Sequence, residues 1–169
     1  MIVEILHRVG EASGIQTFMN TAWGWPVIES LHFTALAILL GTVGLFDLRL
    51  LGVARGISMV ALHRFVPFGV GAIVANALTG AMFLVSAPDQ YVYNPAFQLK
   101  VACMLVALLN VIVFYSKPVQ TMKTLGPEAD APRAIKLIAA ISLVSWCGVI
   151  VFGRLITMFR PPYHWCLWC

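Results

Sequence analysis

Between Phe65 and Pro88 the chain runs for 24 residues without one Asp, Glu, Lys or Arg. A helix of ~20 apolar residues is enough to cross the hydrocarbon layer of a bilayer. Three further stretches have the same character. Pro26–Phe46 has 21 residues broken only by Glu29 and His32, Pro95–Ser116 has 22 with only Lys100, and Leu137–Phe159 has 23 with only Arg154. In lipid only helices and closed barrels satisfy every backbone donor and acceptor. The short alternating strands of a barrel do not occur in this sequence. Composition agrees, with 60% hydrophobic and 11% charged residues, against about 25% charged in a soluble domain. A core of this size could not hide so much apolar surface from water, so the excess faces lipid. The expected fold is all-α, a four-helix transmembrane bundle in a single domain, with spans at about 26–46, 65–88, 95–116 and 137–159.

The first twenty residues do not read as a signal peptide, because Glu4, His7, Arg8 and Glu11 interrupt any apolar centre. Ile2, Ile5, Leu6 and Val9 instead recur at helical spacing. This predicts an amphipathic helix over about 2–20, lying in the membrane interface. The connections between spans set an orientation. Arg49, Arg55 and Arg64 follow the first span, and Lys117, Lys123, Arg133 and Lys136 follow the third, whereas "SAPDQYVYN" after the second has no Lys or Arg. The basic connections are expected to be cytoplasmic, with both termini on the other side. Trp23, Trp25, Tyr91, Tyr93, Tyr163, Trp165 and Trp168 all then fall at that outer interface, as an aromatic belt. The net charge of +4 therefore reads as topology. No basic run interleaved with aromatic residues points to nucleic acid.

The ionisable residues inside the spans are the main functional signal, because such groups are costly in lipid and mark pathways or cofactors. A rise of ~1.5 Å per residue puts Glu29 ~6 Å and His32 ~10 Å below the outer end of span one. The same arithmetic puts Lys100 and Arg154 each ~8 Å below the outer ends of spans three and four. Four ionisable groups from three helices thus share a level. His32 is a candidate ligand for haem iron or copper. Lys100 and Arg154 are candidates to neutralise haem propionates or hold a quinone headgroup, and Glu29 to orient an imidazole or relay a proton. The structural alternative is that Lys100 and Arg154 snorkel outward, with Glu29 paired to one of them. A di-iron carboxylate bundle needs a second Glu-x-x-His and two further glutamates within the spans, and the four spans contain one such motif and no glutamate besides Glu29.

Other polar residues read as structural. Asn76, Thr79 and Asn110 suit interhelical hydrogen bonds, and Ala37 with Gly41 would allow close packing of helices. His63 lies at the opposite face from His32 and is a candidate partner for Asp47. Cys103 and Cys147 read as buried thiols. The terminal "HWCLWC" sets His164, Cys166 and Cys169 together, as a disulfide, a redox pair or, with His32, a Zn- or Cu-type metal site.

Three segments carry a resemblance. The pattern W-x-W-x-V-x-E-x-L-H leading to "DLRLLG", then "TGAMFL", then "YNPAFQLKVACMLVALLNVIVF", resembles an uncharacterised family of small bacterial inner-membrane proteins over about residues 23–117. It is also similar to the membrane domain of CopD-type copper-resistance proteins, which implies copper as a candidate. The general plan resembles small b-type cytochromes, although those pair histidines at one level. The resulting expectation is an inner-membrane protein associated with redox chemistry, holding haem b, or less readily copper, near the outer face. It is expected to act in electron transfer or as an accessory subunit rather than as a stand-alone enzyme. A scaffold within a larger membrane complex, a homo-oligomer, a quinone partner and copper transfer are the alternatives.

Overall fold

The computed structural model describes residues 1–116 and 131–159. Among them the secondary structure is helical throughout: α1 Ile2–Ala12, α2 Ile15–Met19, α3 Gly24–Leu51, α4 Met59–His63, α5 Val66–Ser86, α6 Pro88–Tyr91, α7 Pro95–Ser116 and α8 Arg133–Leu155, ending in a 3-10 turn at Ile156–Phe159. Four helical segments are long and apolar enough to cross a membrane, Gly24–Leu51, Met59–Ser86, Pro95–Ser116 and Arg133–Phe159. The protein is a multi-pass membrane protein built as a helical bundle.

Sequence and structure differ most at the helix ends. The first span continues five residues past Phe46, through "DLRLL". It stops where Gly52 takes the left-handed conformation at φ 89°, with Val53 N–H donating to the Leu48 carbonyl at 3.0 Å. That closure satisfies carbonyls the helix end leaves open. Ser58 then caps α4 by accepting from Ala61 N–H at 3.1 Å. The last span starts at Arg133 rather than Leu137, on a Pro132 N-cap. The N-terminal helix is two short helices, broken at Gly14 with φ 72°. They pack across α5. Gly10 is required there, because a Cβ would collide with the Val85 carbonyl. His7 adds a 2.8 Å contact to Asp89.

The spans pack in an uneven ring. α3 pairs with α5, α7 pairs with α8, and α3 against α8 joins the two pairs, while α5 and α7 barely meet. Lipid is as apolar as leucine, so close approach and hydrogen bonds drive this association more than the hydrophobic effect. Small residues accordingly sit at the closest contacts, with Ala107 and Ala139 fully buried. The central layer is Leu39, Ala72, Ala107, Trp146 and Val149, and Leu50, Phe114, Ala131, Ile135 and Ala139 form a second layer toward the basic connections. Polar side chains tie the pairs together. Asn110 donates to the Ile138 carbonyl at 3.0 Å and Asn76 to the His32 carbonyl at 3.4 Å. Ala37 and Gly41 do not join a contact, since Ala37 is exposed and a Cβ on Gly41 would meet nothing. Cys103 is half-buried against Gly148, but Cys147 is exposed rather than buried, because it lies on the outer face of α8.

Candidate functional site at the aromatic end

The end of the bundle that carries Trp23, Trp25 and Tyr93 is termed the aromatic end, and the other, with Arg49, Arg55 and Arg64, the basic end. Two of the four ionisable residues come together at the aromatic end. His32 projects from α3 across α5, where its Nδ1 lies 2.7 Å from Thr79 Oγ1. The Thr79 hydroxyl has a single proton and also lies 2.7 Å from the Ala75 carbonyl of its own helix. Both bonds are satisfied together only if the hydroxyl donates to Ala75 and accepts from the imidazole. Nδ1 therefore carries the ring proton, and Nε2 carries the lone pair. Nε2 makes no hydrogen bond among the described residues and is not enclosed. The ring is held from the side by Phe83 at 5.6 Å, on which Trp25 stacks at 5.1 Å.

Lys100 reaches the same region from α7. Its Cδ, Cε and Nζ lie over Gly153 of α8, and its ammonium is near enough for its charge to act on the imidazole. The other two residues stand apart. Glu29 and Arg154 are exposed, and neither forms an ion pair among the described residues. The Glu29 ion pair expected from the snorkelling alternative is thus not formed. Among the described residues no group of three or more His, Cys, Asp and Glu could hold a metal ion by itself. The cluster of His164, Cys166 and Cys169 lies outside the described residues, as do Tyr163, Trp165 and Trp168.

Two residues that matter here were not singled out for a site from sequence. Thr79 fixes the imidazole, and the sequence marks it only as a polar residue suited to an interhelical hydrogen bond, which it forms. Asn94 is 2% exposed and clamps the aromatic end. Its Oδ1 accepts from Ala96 N–H at 3.0 Å, capping α7, and its Nδ2 donates to the Ile156 carbonyl at 3.0 Å, tying down α8. Through that clamp Lys100 and Gly153 are kept in register.

The sequence matches the family described as "Family of unknown function (DUF6644)" over residues 17–159. The chain belongs to that family. The match starts in α2 and runs through all four spans, so it includes His32, Thr79 and Lys100, whereas α1 and the terminal Cys-x-x-Cys lie beyond it. No curated protein and no solved structure matches the chain. The similarity to CopD-type membrane domains is not shown by these comparisons.

At the basic end the Asp47–His63 pair does not form. Asp47 Oδ2 and His63 Nε2 are both buried without a hydrogen-bond partner. His63 instead turns its Nδ1 toward the Met59 carbonyl at 3.2 Å and its ring toward Phe46.

Proposed function

We propose that this is a redox-associated membrane protein in which His32 is the single protein ligand of a haem b near the aromatic face. The observation that carries the reading is the hydrogen bond from His32 Nδ1 to Thr79. Metal-ligating histidines almost always donate their other ring N–H in this way, which fixes the tautomer and raises the basicity of the ligating nitrogen. His63 sits at the other end of the bundle, so the described residues favour one axial imidazole over two. A lone proximal histidine is a known haem ligation. Lys100 is placed to meet an anionic propionate, and Arg154, exposed at the same end, to meet the second. Copper is the other metal that a lone-pair Nε2 accepts readily. On this reading the aromatic end is the periplasmic face of a bacterial inner membrane, and both termini lie there, because the basic connections belong on the cytoplasmic side.

A second reading has a specific observation of its own. An acceptor, His32 Nε2, beside a donor, the Lys100 ammonium, matches the donor and acceptor oxygens of a quinol headgroup. The absorption spectrum of the purified protein, with metal analysis, separates the readings. Haem gives a Soret band that is lost in His32→Ala. A bound quinone gives neither a Soret band nor stoichiometric metal, but extracts into organic solvent.

A further inference from the structure

The basic half of the bundle contains a cavity of about 250 Å³ between all four spans. It exists because α5 and α7 barely meet there. Its walls are apolar and aromatic, with Phe46, Phe65, Phe114 and Tyr115 among them. Phe65, Val70 and Tyr115 line it and are 50%, 56% and 45% exposed, so its mouth opens between α5 and α7. Among the described residues that line the cavity, Asp47 is the one carboxylic acid. Asp47 is 5% exposed. Ser142 reaches its carboxyl as a hydrogen-bond partner, but Oδ2 is enclosed with no partner among the described residues.

An enclosed carboxylate oxygen without a partner is costly in lipid, and proteins keep such groups where a ligand or proton answers them. The basic side chain closest in sequence does not answer it. Arg49 is two residues along α3, ~200° around the helix, and its Nε donates to the Ile57 carbonyl at 2.8 Å. A carboxylate at the end of an aromatic-walled cavity complements a positive charge on an apolar body, because ring faces also attract cations. The volume lies just below the ~300–1,000 Å³ of drug-sized ligand pockets, which limits the occupant to a small molecule.

We propose that this cavity binds a small lipid-soluble organic cation, a protonated amine on an aromatic or aliphatic body, which enters from the bilayer between α5 and α7 and places its ammonium on Asp47. The site is separate from His32 and does not depend on what His32 holds.

The test uses the full-length protein in lipid nanodiscs and two probes of nearly equal shape, 2-phenylethylammonium and neutral 2-phenylethanol. Saturable binding is followed by calorimetry, with empty nanodiscs as the partition control. The expected result is that the wild type binds the cation ~10-fold or more tightly than the alcohol, the worth of one charge-assisted hydrogen bond. Asp47→Asn removes that preference and leaves the alcohol's affinity unchanged. Val70→Trp, at the exposed mouth, weakens both probes. Equal affinity of the wild type for the two probes, or no saturable binding of the cation, overturns the proposal. The wild-type comparison alone decides this, so it stands even if Asp47→Asn fails to fold. Retention of the cation preference by a folded Asp47→Asn also overturns it.

Discussion

Two histidines, His32 and His63, show how differently the bundle treats the same side chain at its two ends. His32 gives its Nδ1 proton to a threonine on the neighbouring span and leaves Nε2 unenclosed. His63 stays near its own helical turn, and its Nε2 is enclosed without a partner. The first arrangement is the one the proposed haem ligation requires, and the second is that of an imidazole packed as an aromatic ring against Phe46. The acids divide in the opposite sense. Glu29 at the aromatic end is exposed, whereas Asp47 at the basic end is enclosed. The imidazole nitrogen is therefore left accessible at the aromatic end, and a carboxylate is enclosed at the basic end. What separates them is which neighbouring span comes close enough to supply a partner.

The largest expected effect tests that contrast directly. His32→Ala is expected to abolish haem retention through purification, read as loss of the Soret band, while His63→Ala leaves it intact. Thr79→Val removes the acceptor that orients the imidazole. Loss of such an outer partner typically weakens metal affinity ~10–100-fold, and titration of haem into the stripped protein measures it. A Thr79→Val protein that binds as the wild type does would mean the hydrogen bond is structural.

How much of this was legible in the sequence depends on the scale of the feature. The four spans follow from uninterrupted apolar runs, since length and lack of charge are local properties that lipid enforces residue by residue. Helix ends were less legible. "DLRLL" looks like a connection because it is charged, yet α3 continues through it, since Asp47 and Arg49 are both buried by packing that span one alone does not reveal. The candidate site was half legible. The shared depth of His32 and Lys100 could be counted along the chain. That Glu29 would stay exposed could not, because it depends on which neighbouring helix covers that side of α3. The Asp47 cavity depends on α5 and α7 failing to meet, which is a property of the assembled ring.

Smaller effects sharpen the comparison further. Gly10→Leu forces side-chain bulk onto the Val85 carbonyl and is expected to undock α1 at a cost of about 1–3 kcal/mol. Hydrogen exchange should then rise across residues 2–12 but not at His32, since Thr79 lies elsewhere on α5. In the absence of ligand, Asp47→Leu is expected to raise thermal stability by about 1–3 kcal/mol, the cost of leaving a buried polar group unsatisfied. A loss of stability would mean that the contact with Ser142 outweighs the unsatisfied Oδ2. The smallest change is Ser58→Ala, which removes the cap of α4 and should cost ~1 kcal/mol. It is expected to act on the basic end alone, leaving the Soret band where it was.

The most direct measurement is the absorption spectrum of the protein purified from its native membrane, taken with iron and copper analysis on the same sample. The account predicts a Soret band with about one haem per chain, of the high-spin type that a single imidazole ligand gives, and its loss in His32→Ala. A sample that is folded, colourless and free of both metals would contradict it.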